Sequence, residues 1–200
     1  ELARRSAEPK TALPRVQKEV ERLTVLVNEL LQVTRAEGDP ASRNVSVIDL
    51  RDFLSALVED CRIEAQARGC TIDLVIRDGV KWQGDPELLH RAVENVLRNA
   101  IHHAPANSEI EVDLQASDRD VTIRVRDHGP GVPEQQLTEI FRPFYRVEED
   151  RSRQNGGGVG LGLSIAERAV RVHHGQIRAE NADPGLVVED HGPAPLRGVR

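Results

Sequence analysis

Two runs of strict alternation, EIEVDL and VTIRVR, constrain this chain more than any other feature. In the first, Ile110, Val112 and Leu114 alternate with Glu109, Glu111 and Asp113. In the second, Val121, Ile123 and Val125 alternate with Thr122, Arg124 and Arg126. A period of two sends successive side chains to opposite faces, so both runs read as half-buried strands. One polar face carries acids and the other mostly arginines, which favours an antiparallel hairpin.

The segments around this hairpin mix helix and strand. VSVIDL, TIDLVI and VKW read as short strands, and the stretch from Arg51 to Arg68 as a helix stopped by Gly69. Asp85 is a good N-cap and Pro86 suits a first helical position, which predicts a helix running to Ala104 and halted by Pro105. Ser164 to His174 is helical, and GQIRAEN with GLVVE forms a closing hairpin. The closing VVEDHGPAPL has no clear strand ending, so the last strand is expected to be short and residues 191–200 a loose tail. Interleaved helices with antiparallel hairpins predict an α+β fold rather than a doubly wound sheet.

Ahead of this region, Leu13, Val16, Val20, Leu23, Val27, Leu30 and Thr34 recur at spacings of three and four, a heptad seam. Such a helix needs partners and suits a bundle, with packing on its own domain as the alternative. The breakers in AEGDPASRN then mark a boundary. The expected division is 1–37 helical bundle, 38–44 linker, 45–190 α+β domain and 191–200 tail. The chain opens inside helix-like sequence, as a piece of a longer protein would.

Composition sets outer limits. The apolar fraction is 38 %, enough for a core, and no run approaches the roughly 20 apolar residues of a spanning helix. No signal-peptide pattern opens the chain. The net charge of -6 and the lack of a basic stripe argue against nucleic acid as a partner. Cys61 and Cys70 suit reduced, buried thiols better than a disulfide framework or a zinc site.

Three places offer chemistry. On the helix from Asp85 to Ala104, Asn95, Asn99 and His103 stack at i, i+4 and i+8, with His102 close by. Asparagine is a poor helix former, and its amide can hold a metal, a water or a phosphate without adding charge. A solvated polar face is the plainer alternative. In RDHGPGVP, Asp127 continues the alternation of Val121, Ile123 and Val125, so its carboxylate points to the apolar face. Gly129 and Gly131 leave bare backbone beside it, where an exocyclic amine such as adenine's would fit; an acidic turn is the alternative. In RQNGGGVGLGLSIAERA, five glycines fall between Gly156 and Gly162 and lead into a helix. The spacing fails the dinucleotide fingerprint, and Leu163 stands where a phosphate-binding loop needs lysine. Bare amides at a helix start still favour an anion, and Arg146, Arg151 and Arg153 add positive charge. A linker is the alternative, but Val159, Leu161 and Leu163 punctuate the glycines. No H-E-x-x-H is present, and the adjacent pairs His102-His103 and His173-His174 read as structural or surface histidines.

Taken in order, ENVLRNAIHHAP, DHGPG, FRPFYR and GGGVGLGLSIAERAVRVHHGQI resemble the N, G1, F and G2 boxes of sensor histidine kinases, nearest to the Cpx-type envelope-stress sensors. The resemblance runs from about Val45 to about Glu189. It implies the two-layer α/β sandwich of the Bergerat (GHKL) ATP-binding fold, preceded by a helix of a dimerisation bundle. It also implies ATP and Mg2+ as ligands. Asn99 would ligate the metal and Asn95 would support the phosphates. Asp127 would accept from the adenine amine, with Gly129, Gly131 and Val132 shaping the base pocket. His102, His103, Tyr145, Arg146, Arg151 and Arg153 would line the nucleotide. Phe141, Phe144 and Tyr145 would anchor a lid of residues 147–155. Gly156, Gly157, Gly158, Val159, Gly160, Leu161 and Gly162 would form its hinge and the phosphate cradle.

Related ATPases of this fold carry a water-activating glutamate where this chain has Asn95, which implies poor hydrolysis and favours transfer to another group. None of the seven histidines stands in the H-E-x-x-x-P context of a phosphoacceptor, so the acceptor would lie outside the chain. The resemblance further implies a response regulator as partner, a homodimer in the whole protein, and the cytoplasmic part of an inner-membrane sensor attached only through segments ahead of residue 1. Two rivals are a non-catalytic regulator-binding module with a degenerate nucleotide fold, and a nucleotide-dependent ATPase clamp.

Overall fold

The computed structural model describes residues 44–77, 79–147 and 159–196. The chain divides into two units, Glu1–Glu37 and Gly38–Arg200, and every described residue belongs to the second. The expected bundle helix and linker therefore lie outside the described residues, apart from Asn44.

Strand β1 (Ser46–Asp49) leads straight into helix α1 (Leu50–Ala67). Asp49 caps that helix by accepting from the N–H groups of Arg51 and Asp52 at 3.0 and 3.3 Å. Leu50, Leu54, Leu57, Val58, Cys61 and Ala65 form its buried stripe. Gly69 then takes φ +75°, the left-handed conformation that ends a helix at least cost in glycine. β2 (Thr71–Ile76) and β3 (Lys81–Gly84) follow, β3 pairing with β1 in a small antiparallel sheet.

Helix α2 (Pro86–His103) starts as its sequence predicts. Asp85 accepts from Glu87 N–H at 3.0 Å and Leu88 N–H at 3.3 Å, and Pro86 opens the first turn. Its stripe from Leu89 to Ile101 is buried, and Ala104 ends it ahead of Pro105. The hairpin β4 (Glu109–Ala116) and β5 (Asp120–Arg126) is antiparallel. Helix α3 (Gly162–Val172) precedes a second hairpin, β6 (Gln176–Asn181) and β7 (Leu186–Pro193).

Five strands make one mixed sheet in the order β2-β4-β5-β7-β6, with β2 and β4 its parallel pair. Ile110, Val112 and Leu114 and, opposite them, Val121, Ile123 and Val125 join the helix stripes in one core. The expected α+β sandwich is therefore the observed fold. On the outer face Glu111 stands opposite Arg126, and the two approach to 3.4 Å. Asp113, opposite Arg124, instead binds Arg77 at 3.0 Å, and Arg124 turns to Glu189 at 3.5 Å.

One expectation fails. The last strand is not short, and residues 191–193 are not a loose tail: β7 has eight residues and Asp120 lies opposite Pro193. Beyond the strand, Leu196 N–H still donates to the Lys81 carbonyl at 2.9 Å. The physical reason is that β7 fills the slot between β5 and β6, and the Trp82 indole N–H holds the Pro193 carbonyl at 3.1 Å. Asp190 and Gly192 hid this by breaking the apolar alternation.

Candidate nucleotide site

Asp127 sits where β5 ends, and its burial follows from the alternation that precedes it. It is 3 % exposed, like the valines and isoleucine sharing its face. Its Oδ1 accepts from Gly129 N–H at 2.7 Å and more weakly from Leu186 N–H at 3.4 Å. Burial raises its pKa above the ordinary carboxylate value, while those two N–H groups and the nearby imidazoles of His103 and His128 pull it down. The carboxylate is thus fixed in direction, with acceptor capacity left over, since each oxygen offers two lone pairs.

The glycines around it are required by space. A Cβ on Gly129 would lie 2.7 Å from the His103 carbonyl oxygen, so this loop rests on the C-terminal end of α2. A Cβ on Gly185, at φ +109°, would meet the Asp127 carbonyl oxygen at 1.8 Å. Gly131 takes φ +71° beside Asn181. Asn181 Oδ1 accepts from Val132 N–H at 2.8 Å, and its Nδ2 donates to the Val132 carbonyl at 2.6 Å. Gly185 and Asn181 escaped the sequence reading. The turn dipeptide Pro184-Gly185 was a visible signal for the first; nothing local marked the second.

On α2, Asn95 Nδ2 donates to the Arg91 carbonyl at 2.8 Å, leaving its oxygen pointing at the start of α3, where a Cβ on Gly162 would come within 3.0 Å. Asn99, one turn on, is partly exposed and makes no side-chain hydrogen bond among the described residues. His103 meets the Gly129 loop through its carbonyl, and His102 packs edge-on against its ring at 4.9 Å. His102 Nδ1 lies 3.0 Å from an Arg68 guanidinium nitrogen, so that ring is tied to the end of α1. Glu94 turns to Arg98 at 3.5 Å and His90 at 3.8 Å, away from the asparagines.

Helix α3 begins at Leu161-Gly162 without a side-chain cap, and the one hydroxyl nearby, Ser164 Oγ, donates to the Leu161 carbonyl instead. The N–H groups of its first turn have no acceptor within the helix and carry the positive end of its dipole. Gly160 takes φ +87°, and a Cβ there would lie 2.5 Å from the Tyr145 carbonyl oxygen. Its own carbonyl accepts from Phe144 N–H at 2.8 Å, and Arg146 Cγ packs alongside. The aromatic segment therefore holds the glycine run by backbone. Phe141 is buried, whereas Phe144 is 56 % exposed. Val159 is partly buried and Leu161 fully so. Arg151, Arg153, Gly156, Gly157, Gly158 and most of the expected lid lie outside the described residues.

The structure thus brings Asn95, Asn99, His103, Asp127, Gly129 and the start of α3 to one end of the sandwich. A sandwich with a fixed buried carboxylate, an unengaged asparagine amide at Asn99 and an uncapped helix start fits a nucleotide-binding class. Residues 84–193 match the family of histidine kinase-, DNA gyrase B-, and HSP90-like ATPases, and the chain belongs to that family. Membership supports ATP as a ligand of the chain. The chain is 36 % identical over 186 residues to the sensor histidine kinase CpxA of Escherichia coli, covering 92 % of this chain and 39 % of that protein. It is 37 % identical to the signal transduction histidine-protein kinase AfsQ2 of Streptomyces coelicolor, covering 85 % and 30 %. The chain thus spans well under half the length of these relatives. Among solved structures, the mycobacterial sensor histidine kinase MprB matches with a TM-score of 0.66 at 26 % identity, covering 76 % of this chain and 99 % of that one. Full-length ShkA in complex with AMPPNP matches at 0.80 over 97 % of this chain and 40 % of that one, a likeness of fold at 22 % identity.

Proposed function

We propose that this chain is the ATP-binding catalytic region of a membrane sensor histidine kinase. In this reading it positions Mg-ATP for phosphoryl transfer to a histidine outside the chain, and the phosphoryl group passes on to a response regulator. The observations that support the reading are the buried Asp127 carboxylate in the loop that rests on the C-terminal end of α2, and the Asn95 amide oxygen that faces the uncapped start of α3.

Each residue has a task its geometry suits. Asp127, held by Gly129 and Leu186, accepts from the adenine amine. Asn95 and the first N–H groups of α3 take the phosphates. Asn99 offers an unengaged amide oxygen that would suit a magnesium ion held mainly by phosphate and water; such an ion would supply charge neutralisation at the transferring group. Among the described residues, Glu94, the carboxylate next to Asn95, is paired with Arg98 and His90 on another face. Transfer to a positioned acceptor is therefore favoured over hydrolysis. The bundle helix and dimer of the whole protein, and attachment to an inner membrane, belong to the same proposal.

The test is calorimetric titration with Mg-ADP, followed by incubation with γ-labelled ATP. The chain is expected to bind nucleotide, to turn over ATP very slowly and to remain unlabelled. Brisk steady-state hydrolysis would point to an ATPase clamp, and no binding would point to a regulator-binding module.

A further inference from the structure

At one edge of the five-stranded sheet, β2 has β4 as its only neighbour among the described strands. The N–H groups of Thr71 and Arg77 donate to the Ser108 and Leu114 carbonyls on that side, each at 3.1 Å. Along such a ladder the residues that bond the neighbour alternate with those that turn away. Ile72, Leu74 and Ile76 therefore direct their N–H and carbonyl groups off the sheet. No hydrogen bond reaches those groups among the described residues.

The edge at the other end, β6, is covered by polar side chains. Gln176, Arg178 and Glu180 are exposed there, and Arg178 donates to Gln176 at 3.0 Å. β2 carries no proline and no lysine, and Val75 is 39 % exposed on its outer face. Asp73, on the same face, stands beside Glu111, a like charge, and has no hydrogen bond or ion pair among the described residues. Arg77 follows two residues after Val75, with its side chain 60 % exposed. Its Nε and Nη2 donate to one Asp113 oxygen at 3.2 and 3.0 Å. The Nη1 end of the guanidinium still has N–H groups to give.

We propose that β2 is a pairing edge for a second copy of this chain, joined antiparallel about a two-fold axis through Val75. Ile72, Leu74 and Ile76 must supply the bonded pairs, since their groups face outward. Of the registers that satisfy this, one sets opposite charges face to face over residues 71–77. In it Val75 meets Val75 of the second copy, Leu74 meets Ile76, and Asp73 meets Arg77. A register shifted so that Asp73 met itself would oppose two acids instead, which is destabilising. The chosen pairing closes about four main-chain hydrogen bonds at its centre. It also gives Asp73 the cation it lacks, twice over by symmetry. Leu74 and Ile76 lie on the core side, so the apolar face of the sheet continues from one copy into the next. The contact is small, which places it among weak, reversible associations. It does not rest on the nucleotide reading.

The experiment is register-specific disulfide linking in the whole chain at about 0.5 mM, a concentration suited to weak contacts. Cys61 and Cys70 are buried, so the unsubstituted chain is the blank. Facing residues of a non-bonded antiparallel pair lie about 4.5 Å apart at Cα, within disulfide reach. Val75→Cys should therefore link to itself on mild oxidation. Asp73→Cys and Arg77→Cys should link when mixed and at least about tenfold more slowly when alone. Val47→Cys, exposed on the small sheet, reports random collision. Within Val75→Cys, adding Asp73→Arg should slow linking by opposing two arginines, and adding Arg77→Asp as well should restore it. These links read the β2 edge alone, whatever residues 1–37 contribute to association. Failure of Val75→Cys to link faster than Val47→Cys, or equal linking at positions 73, 75 and 77, overturns the proposal. Far-UV circular dichroism checks each variant, and one that fails to fold leaves Val75→Cys against Val47→Cys to decide.

Discussion

Asn181 grips both backbone groups of Val132, its Oδ1 on the N–H at 2.8 Å and its Nδ2 on the carbonyl at 2.6 Å. One side chain at the end of β6 thereby sets the course of the loop that carries Gly129 and Gly131. Asn181→Ala removes both bonds at an exposed position, which should cost about 1 kcal/mol of stability. Nucleotide affinity should fall more than stability does, because the loop loses its register. Calorimetry with Mg-ADP beside urea unfolding separates the two; unchanged affinity would show that the loop is held by other means.

Gly185→Ala should be far more damaging. The added Cβ would sit 1.8 Å from the Asp127 carbonyl, on backbone at φ +109° where side chains are rarely tolerated. A loss of roughly 3 kcal/mol or more is expected in urea unfolding, from strain and displacement of β7 together. A variant as stable as the parent would contradict this backbone path.

Asp127→Asn should weaken nucleotide binding by about tenfold, roughly 1.4 kcal/mol, without unfolding the chain. Burial raises the carboxyl's pKa, so its charged form is disfavoured in the folded protein. Its contribution to stability is present at low pH and lost as pH rises through the folded value, and the amide should therefore not destabilise the chain at neutral pH. Nucleotide affinity should drop on the acid side as Asp127 takes up its proton, starting above the ordinary carboxylate range. Equal affinity of parent and variant for ADP would remove the adenine role.

Removal of residues 190–200 should abolish cooperative folding. Half of β7 goes with them, as do the Trp82 bond to Pro193 and the Leu196 bond to Lys81. A truncated chain with a sharp thermal transition would restore the view of this segment as a tail.

Cys61 should stay silent to thiol reagents in the folded chain at about pH 8. It is buried on α1, and burial pushes its thiol up to about 11. Both thiols should react once urea unfolds the chain; rapid labelling of Cys61 before unfolding would show that α1 opens locally.

What the chain disclosed in advance follows from the range over which each signal acts. Alternation is local, so the facing of Asp127 could be read from Val121, Ile123 and Val125 alone. The same holds for Asp85, whose capping bonds reach only to Glu87 and Leu88. Parallel pairing of β2 with β4 involves Thr71 and Glu109, far apart in sequence, and leaves no local trace. Asn181 and Val132 are in the same position, 49 residues apart. The role that the resemblance gave Phe144, anchoring a lid, falls on residues outside the described ones, and what its own segment shows is a backbone bond from Phe144 N–H to the Gly160 carbonyl. At β7 a partly buried acid, Asp190, masked a strand that its neighbours Val187 and Val188 had announced.

The sheet order also dictates a sequence of events in time. Among the described strands β7 comes last in chain order, yet it lies between β5 and β6. A ribosome adding roughly 5 to 20 residues each second exposes β5 well before β7 exists. Until residue 193 has been made, β5 presents a bare edge with alternating apolar side chains, the kind of edge that invites pairing between chains. The nascent chain thus passes through an interval of vulnerability that ends only when β7 slides into the gap.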